Sequence, residues 1–166
     1  MEATKLSGTQ LPEFEISLRI RHPSMDPASI SKEFAMQAEH SFRAGEPRQS
    51  RSGLAPAAVH AESYWLAALN PASWLGAKAF AATAWLTQKP EDMPAAKTLG
   101  WALSLCAARF SKAHGALLHR IRSEGGQASL IVTLAPFAAA GFSLPPEVSR
   151  AFGELGITIE FELAND

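Results

Sequence analysis

The sequence is poor in cysteine. Cys106 is the only one, so no disulfide can close within the chain and no cysteine-based zinc cluster can form. A lone thiol suits a reducing compartment, and a cytoplasmic protein is the expectation. Neither sign of charge is in excess. Fifteen Lys+Arg against sixteen Asp+Glu leave a formal net charge of -1, which gives no global attraction to nucleic acid or to an anionic membrane. An uninterrupted apolar run of membrane-spanning length is also lacking. The nearest, Trp65 to Leu86, is broken by Asn70, Pro71, Ser73 and Lys78, and reads as the end of a strand followed by a buried helix. Residues 1–13 hold no apolar core of signal-peptide length and read as a flexible N-terminal segment, with no export implied. Internal repeats and low-complexity tails are absent too. Apolar residues do make up 47% of 166 residues, enough for one sizeable core with little room for a second, so 14–163 are expected to form a single domain.

The usual catalytic sets are missing as well. There is no Gly-x-Ser-x-Gly elbow and no His-Glu-x-x-His pair. Of the five histidines, His22, His40, His60, His114 and His119, the last two are five apart and so point to different sides of a helix, whereas ligand pairs want three or four. Surface or partly satisfied histidines are the expectation. Cys106 falls within an apolar stripe, where a cysteine is a small hydrophobe rather than a thiolate. Glu160 and Glu162 share one strand face opposite an Ile/Phe row, as solvated carboxylates would, and acid–base catalysis needs a pair in a cleft. Gly125-Gly126 precedes a strand, whereas a phosphate loop opens a helix. Nothing here implies a catalytic residue, a metal or a cofactor.

What the chain does have is clear periodicity. FEISLRIR (14–21) alternates Phe14, Ile16, Leu18 and Ile20 against Glu15, Ser17, Arg19 and Arg21, the pattern of a half-buried strand. Asp26-Pro27 opens a short helix to about Met36, with Ile30 and Phe34 on its apolar side. A short strand is expected around His40 to Arg43, then a loop rich in Gly, Pro and Ser. Tyr64 to Leu69 reads as a strand ended by Asn70-Pro71. Residues 70–94 look like an insertion whose alanine-rich helix, 72–87, is apolar nearly all round and hence buried or at an interface. A long helix from about Ala95 to Ser123 carries Leu99, Leu103, Cys106, Phe110, Ala113, Leu117 and Ile121 on one stripe, and Gly125-Gly126 ends it. Ala128 to Leu134 is a strand, Pro145-Pro146 opens a helix to Leu155, Gly156 caps it, and Ile157 to Leu163 is an alternating strand. The expected class is α+β: a ferredoxin-like split βαβ sheet with helices on one face, the inserted Trp-rich helix, and an extra C-terminal helix–strand unit.

An Arg-x-Gly-[Asp/Glu]-Pro-Arg turn (Arg43-Ala44-Gly45-Glu46-Pro47-Arg48), then Arg51-Ser52-Gly53, then the aromatic strand Tyr64-Trp65-Leu66, stand behind the amphipathic strand and the Asp-Pro helix. The chain closes with GFSLPPEVSRAFGELGITIEFEL. Together these resemble the bacterial domain-of-unknown-function family numbered 4279, over most of 14–163 outside 54–62 and 70–94. Leu54-Ala55-Pro56 departs from the aromatic that often follows Arg-Ser-Gly in that family, and the Trp-rich insertion is atypical of it. The resemblance implies no established activity; some members look like small immunity or accessory proteins.

Two constellations are candidate sites. Arg43, Arg48 and Arg51 could converge on a phosphate or carboxylate, which guanidinium grips in bidentate fashion, or could be solvated arginines on a loop turned by Gly45 and Pro47. Trp74, Phe80 and Trp85 of the insertion, with Trp101 and Leu105 off the core stripe of the long helix, suggest an interface, either folded back within one chain or between two copies. The leading expectation is a small non-enzymatic interaction protein with a protein partner or a homodimer. The alternative is a small anion- or ligand-binding domain using the Arg43/Arg48/Arg51 turn. Phe42 is the only aromatic interleaved with those arginines, too few for base stacking, so nucleic acid is not expected; nor is a membrane.

Overall fold

The computed structural model describes residues 14–48, 58–71, 95–135 and 144–164, with side chains from 99 onward in the third stretch. The expectations for 1–13, for Arg51 and for the helix 72–87 with Trp74, Phe80 and Trp85 lie outside the described residues.

The class is α+β, with a five-stranded mixed sheet. In chain order the elements are β1 (Phe14–His22), α1 (Pro27–Phe34), β2 (His40–Phe42), β3 (Ser63–Leu69), α2 (Ala95–Arg109), α3 (Gly115–Ser123), β4 (Gln127–Leu134), α4 (Pro146–Leu155) and β5 (Ile157–Leu163). The sheet order is β2-β3-β1-β4-β5. Pairings are antiparallel except β4 with β5, which are parallel because α4 crosses between them. With β5 outside β4, the five-strand order is not that of a four-stranded ferredoxin-like sheet.

Period-two alternation places the core. Ile16, Leu18 and Ile20 of β1, Trp65, Ala67 and Leu69 of β3, Ala128, Leu130 and Val132 of β4 and Ile157 of β5 are buried on one face. The described helices close that face with Ile30 and Phe34, then Leu99, Leu103, Cys106, Phe110, Leu117, Leu118 and Ile121, then Val148 and Phe152, all in one apolar cluster. Aromatic geometry fixes the contact between α1 and the sheet. Phe34 stacks on Trp65 at 5.5 Å and meets Phe110 edge-on at 6.2 Å, while the Trp65 indole N–H donates to Ser31 Oγ at 2.8 Å, so a fully buried tryptophan keeps its donor satisfied.

The long helix differs from expectation at one place. Phe110–His114 is a π turn between α2 and α3, and its wider winding shifts the phase of every later residue in the helix. Ala113, expected on the core stripe, is exposed, and His114 takes the core side instead. Trp101 also differs. It is buried within the apolar cluster and Leu105 packs half-buried against that cluster; α2 also meets α4.

Three helices end in the same motif, in which the residue past the end turns left-handed and two backbone N–H groups reach back to orphan carbonyls. The turning residues are Ala35 at φ 53°, Gly125 at φ 85° and Gly156 at φ 69°. After α1, Ala35 N–H donates to Lys32 O and Met36 N–H to Ser31 O. Gly126, next to Gly125, is required for a different reason: a Cβ there would lie 2.6 Å from His22 Cδ2 and 2.9 Å from Arg21 O.

Among the described residues no helix is long and apolar enough to cross a membrane.

Candidate functional site

The helices leave the other face of the sheet open among the described residues, and strand register builds that face row by row. Phe42, Tyr64, Arg21 and Gln127 stand in the first row; His40, Leu66, Arg19, Ser129 and Thr158 in the second. Ala68, Ser17, Ile131 and Glu160 form the third, and Glu15, Thr133 and Glu162 the fourth. Cations therefore occupy the upper rows and carboxylates the lower ones. Arg19 and Arg21, which the β1 pattern puts two apart, are the consequence of alternation alone.

Arg19 reaches diagonally across β4 to a charge-assisted hydrogen bond with Glu160. The Ser129 hydroxyl, first, and the Arg19 guanidinium hold the Glu160 carboxyl below the ordinary carboxylate range. Ser129 is itself buried although it lies on the open face, as a residue beneath that pair would be. Arg21 places its Nε 2.8 Å from Glu62 Oε1, and its Nη2 bonds the same oxygen. Exposed pairs of this kind contribute about 0.2–1 kcal/mol; what they do is fix two long side chains on an otherwise open surface. Tyr64, Leu66 and Ile131 are half-buried between them. The face is thus a mosaic of ordered charge and apolar side chains. The back-facing residues of β3 and β4 are half-buried at Tyr64, Leu66, Ile131 and Thr133, buried at Ser129 and exposed at Ala68 and Gln127.

At the β2 edge of this face the arginine turn takes shape. Glu46 N–H donates to Arg43 O at 3.1 Å, with Gly45 at φ 84° in the third position, the conformation that a type II turn reserves for glycine. Glu46 Oε2 accepts from the Arg43 N–H at 2.9 Å, and Ser63 Oγ accepts from the Ala44 N–H at 3.0 Å. The returning chain pairs alongside: Gly45 N–H donates to His60 O, His60 N–H to Glu46 O and Arg48 N–H to Ala58 O. His60 and Tyr64 both stack on Phe42, at 3.7 and 5.1 Å. Gly45, Glu46 and Ser63 therefore have turn-building jobs. The Arg43 and Arg48 side chains are exposed and are not brought onto a common point by any bond among the described residues. A carboxylate already sits in the turn, on the Arg43 amide, where an incoming anion would meet its charge.

Two of the histidines, expected to be at the surface or partly satisfied, are buried. His22, 2% exposed, accepts at Nδ1 from the Ser24 and Met25 N–H groups at 3.1 and 2.8 Å. Its proton therefore stands on Nε2, 3.2 Å from Glu124 Oε2, and its role is to hold the bend after β1. His114, 7% exposed, packs 4.8 Å from the Phe34 ring. Burial, then the positive charge of Arg109, lowers its pKa. The Cys106 thiol is likewise buried and pushed up to about 12 by desolvation, so it is a packing residue and not a nucleophile. For His114 the missed signal was the π turn, which no spacing rule in the sequence announces.

One shallow cavity of about 250 Å³ lies where α3 meets α4, lined by Ser111, Gly115, His119, Arg122, Glu154 and Leu155. Arg122 lies over the Gly156 backbone, at the end of α4 where orphan carbonyls favour a cation. No group of three or more His, Cys, Asp or Glu side chains among the described residues could hold a metal ion.

Compared with protein-family models, with curated proteins and with solved structures, the chain finds no match in any of the three.

Proposed function

We propose that this chain is a small non-enzymatic binding module that recognises another polypeptide across the open face of its sheet. The observation that carries this reading is the face itself, on which Arg19–Glu160 and Arg21–Glu62 hold fixed charges around half-buried Tyr64, Leu66 and Ile131. Ordered charge gives specificity and orientation, and the apolar side chains between give the desolvated contact that such recognition needs. The resemblance to the family numbered 4279 supports placing the chain with bacterial proteins of immunity or accessory type, and the lone cysteine supports a cytoplasmic location. The ferredoxin-like reading of the first four strands belongs to the same proposal; in its support, β3 lies between β1 and β2, and β1 between β3 and β4.

The test is site-specific photo-crosslinking in the source cells. A photoreactive residue at Leu66 or Ser17 is expected to give a discrete adduct that the same residue at Lys32, on the helix side, does not. Adducts that are identical from both sides, or absent from Leu66 and Ser17, would refute the proposal. An adduct of the chain with itself would make the partner a second copy.

A further inference from the structure

β5 is an edge strand of seven residues among the described residues. An edge carries a row of backbone donors and acceptors that can template another strand, and proteins blunt it with charged side chains, lysine above all, or with proline, bulges or brevity; on β5 the charges are Glu160 and Glu162. β5, ITIEFEL, has no proline, glycine or lysine, and it pairs with β4 in unbroken register over its whole length. Two of the three exposed large hydrophobics of the described residues stand on it, Phe161 at 45% and Leu163 at 70% exposure. On its other side the acids are unequal. Glu160 is held by Arg19, but Glu162 is exposed and has no ion pair among the described residues.

We infer that the β5 edge accepts an extended partner segment, one that alternates apolar with basic residues, as an added sixth strand. In an added strand, residues on one face would lie beside Ile159, Phe161 and Leu163, and those on the other beside Glu160 and Glu162. The first set is satisfied by aliphatic side chains. The second is satisfied by lysine or arginine, since opposite charges across a strand pair stabilise and like charges destabilise. The same rule disfavours a second copy of this chain in the registers centred on Glu160, Phe161 or Glu162. Antiparallel β5–β5 pairing centred on Glu160 or on Glu162 sets that glutamate against its own counterpart, and centring on Phe161 sets Glu160 against Glu162 twice over. The edge is a different surface from the open face. The inference rests on the reading of this chain as a binding module, and the two fail separately: loss of edge binding leaves the crosslinks from Leu66 and Ser17 untouched.

The experiment titrates the full chain into a fluorescein-labelled peptide that alternates valine with lysine and is long enough to span β5, read by anisotropy. A glutamate version and a version with N-methylated amides serve as controls. The lysine peptide is expected to bind saturably and at least tenfold more tightly than either control, with the preference over glutamate narrowing as salt rises. Glu162→Lys in the protein is expected to move the preference toward the glutamate peptide, with Glu162→Gln as the second variant if the first does not fold. No saturable binding, equal binding of lysine and glutamate peptides, or a lysine preference unchanged in both variants overturns the inference. So does a dimer, seen by light scattering, that Leu163→Lys dissociates, because a second copy would then own the edge.

Discussion

Phe110→Ala tests the arrangement of the core most directly. Phe110 is fully buried, opens the π turn, and meets Phe34 edge-on at 6.2 Å and His114 at 6.1 Å. Truncation to alanine removes the whole ring from a site closed by α1, the sheet and its own helix. Large aromatic truncations of this kind cost about 3–5 kcal/mol, of which the edge-on aromatic contact accounts for about 0.5–1.5 kcal/mol. Domains of this class have roughly 5–15 kcal/mol in all, so the variant should fold but with a large part of its margin gone. In a urea melt with a slope of about 2 kcal/mol per M, the midpoint should fall by roughly 1.5–2.5 M with the slope unchanged. A loss under about 0.5 kcal/mol, the scatter of ordinary surface changes, would mean that Phe110 is not core. Ala113→Lys is the companion variant. An uninterrupted α-helix would bury that lysine; within the π turn the position is exposed, so the change should stay within about 0.5 kcal/mol.

Three further outcomes are expected. Gly126→Ala should cost about 1–3 kcal/mol in the same melt, since its Cβ would stand 2.9 Å from the Arg21 carbonyl oxygen, a backbone atom that cannot rotate away; a neutral result would mean the α3–β1 junction yields. Ala35→Gly should stabilise by about 0.5–1 kcal/mol, because alanine holds φ 53° there and glycine does so without the left-handed penalty; a destabilised variant would count against that account of the helix end. His114 has its pKa lowered by burial and by Arg109, so the unfolded chain takes up this proton first. Its contribution to stability should be complete above the unfolded value of about 6.5 and lost as pH falls from there through the folded value. Urea midpoints of the wild type and His114→Gln at about pH 7 and pH 5 check this: the acid-side loss should shrink in the variant, and an equal loss in both would exclude His114 as the group responsible.

Local pattern alone determined most of the elements. Period-two alternation in FEISLRIR and ITIEFEL gave β1 and β5 almost to the residue, Asp26-Pro27 opened α1, and Gly125 and Gly156 marked the ends of α3 and α4. Each of these depends on a backbone preference or a spacing that a few neighbouring residues settle between themselves. The turn at Arg43–Arg48 was legible for the same reason, because Gly45 is needed at a positive φ. Only the tertiary structure decided the rest. Arg19 and Glu160 are 141 residues apart in the chain, and nothing in either segment names the other; register through β4 brings them together. His114 entered the core and Ala113 left it because both lie in the widened turn Phe110–His114, where His114 packs against Phe34. Trp101 is in the core cluster, on a helix that meets α4, a contact that nothing within α2 announces. Burial, ion pairing and the exposure of the β5 edge depend on which surfaces meet, and strands that are neighbours in the sheet need not be neighbours in the sequence.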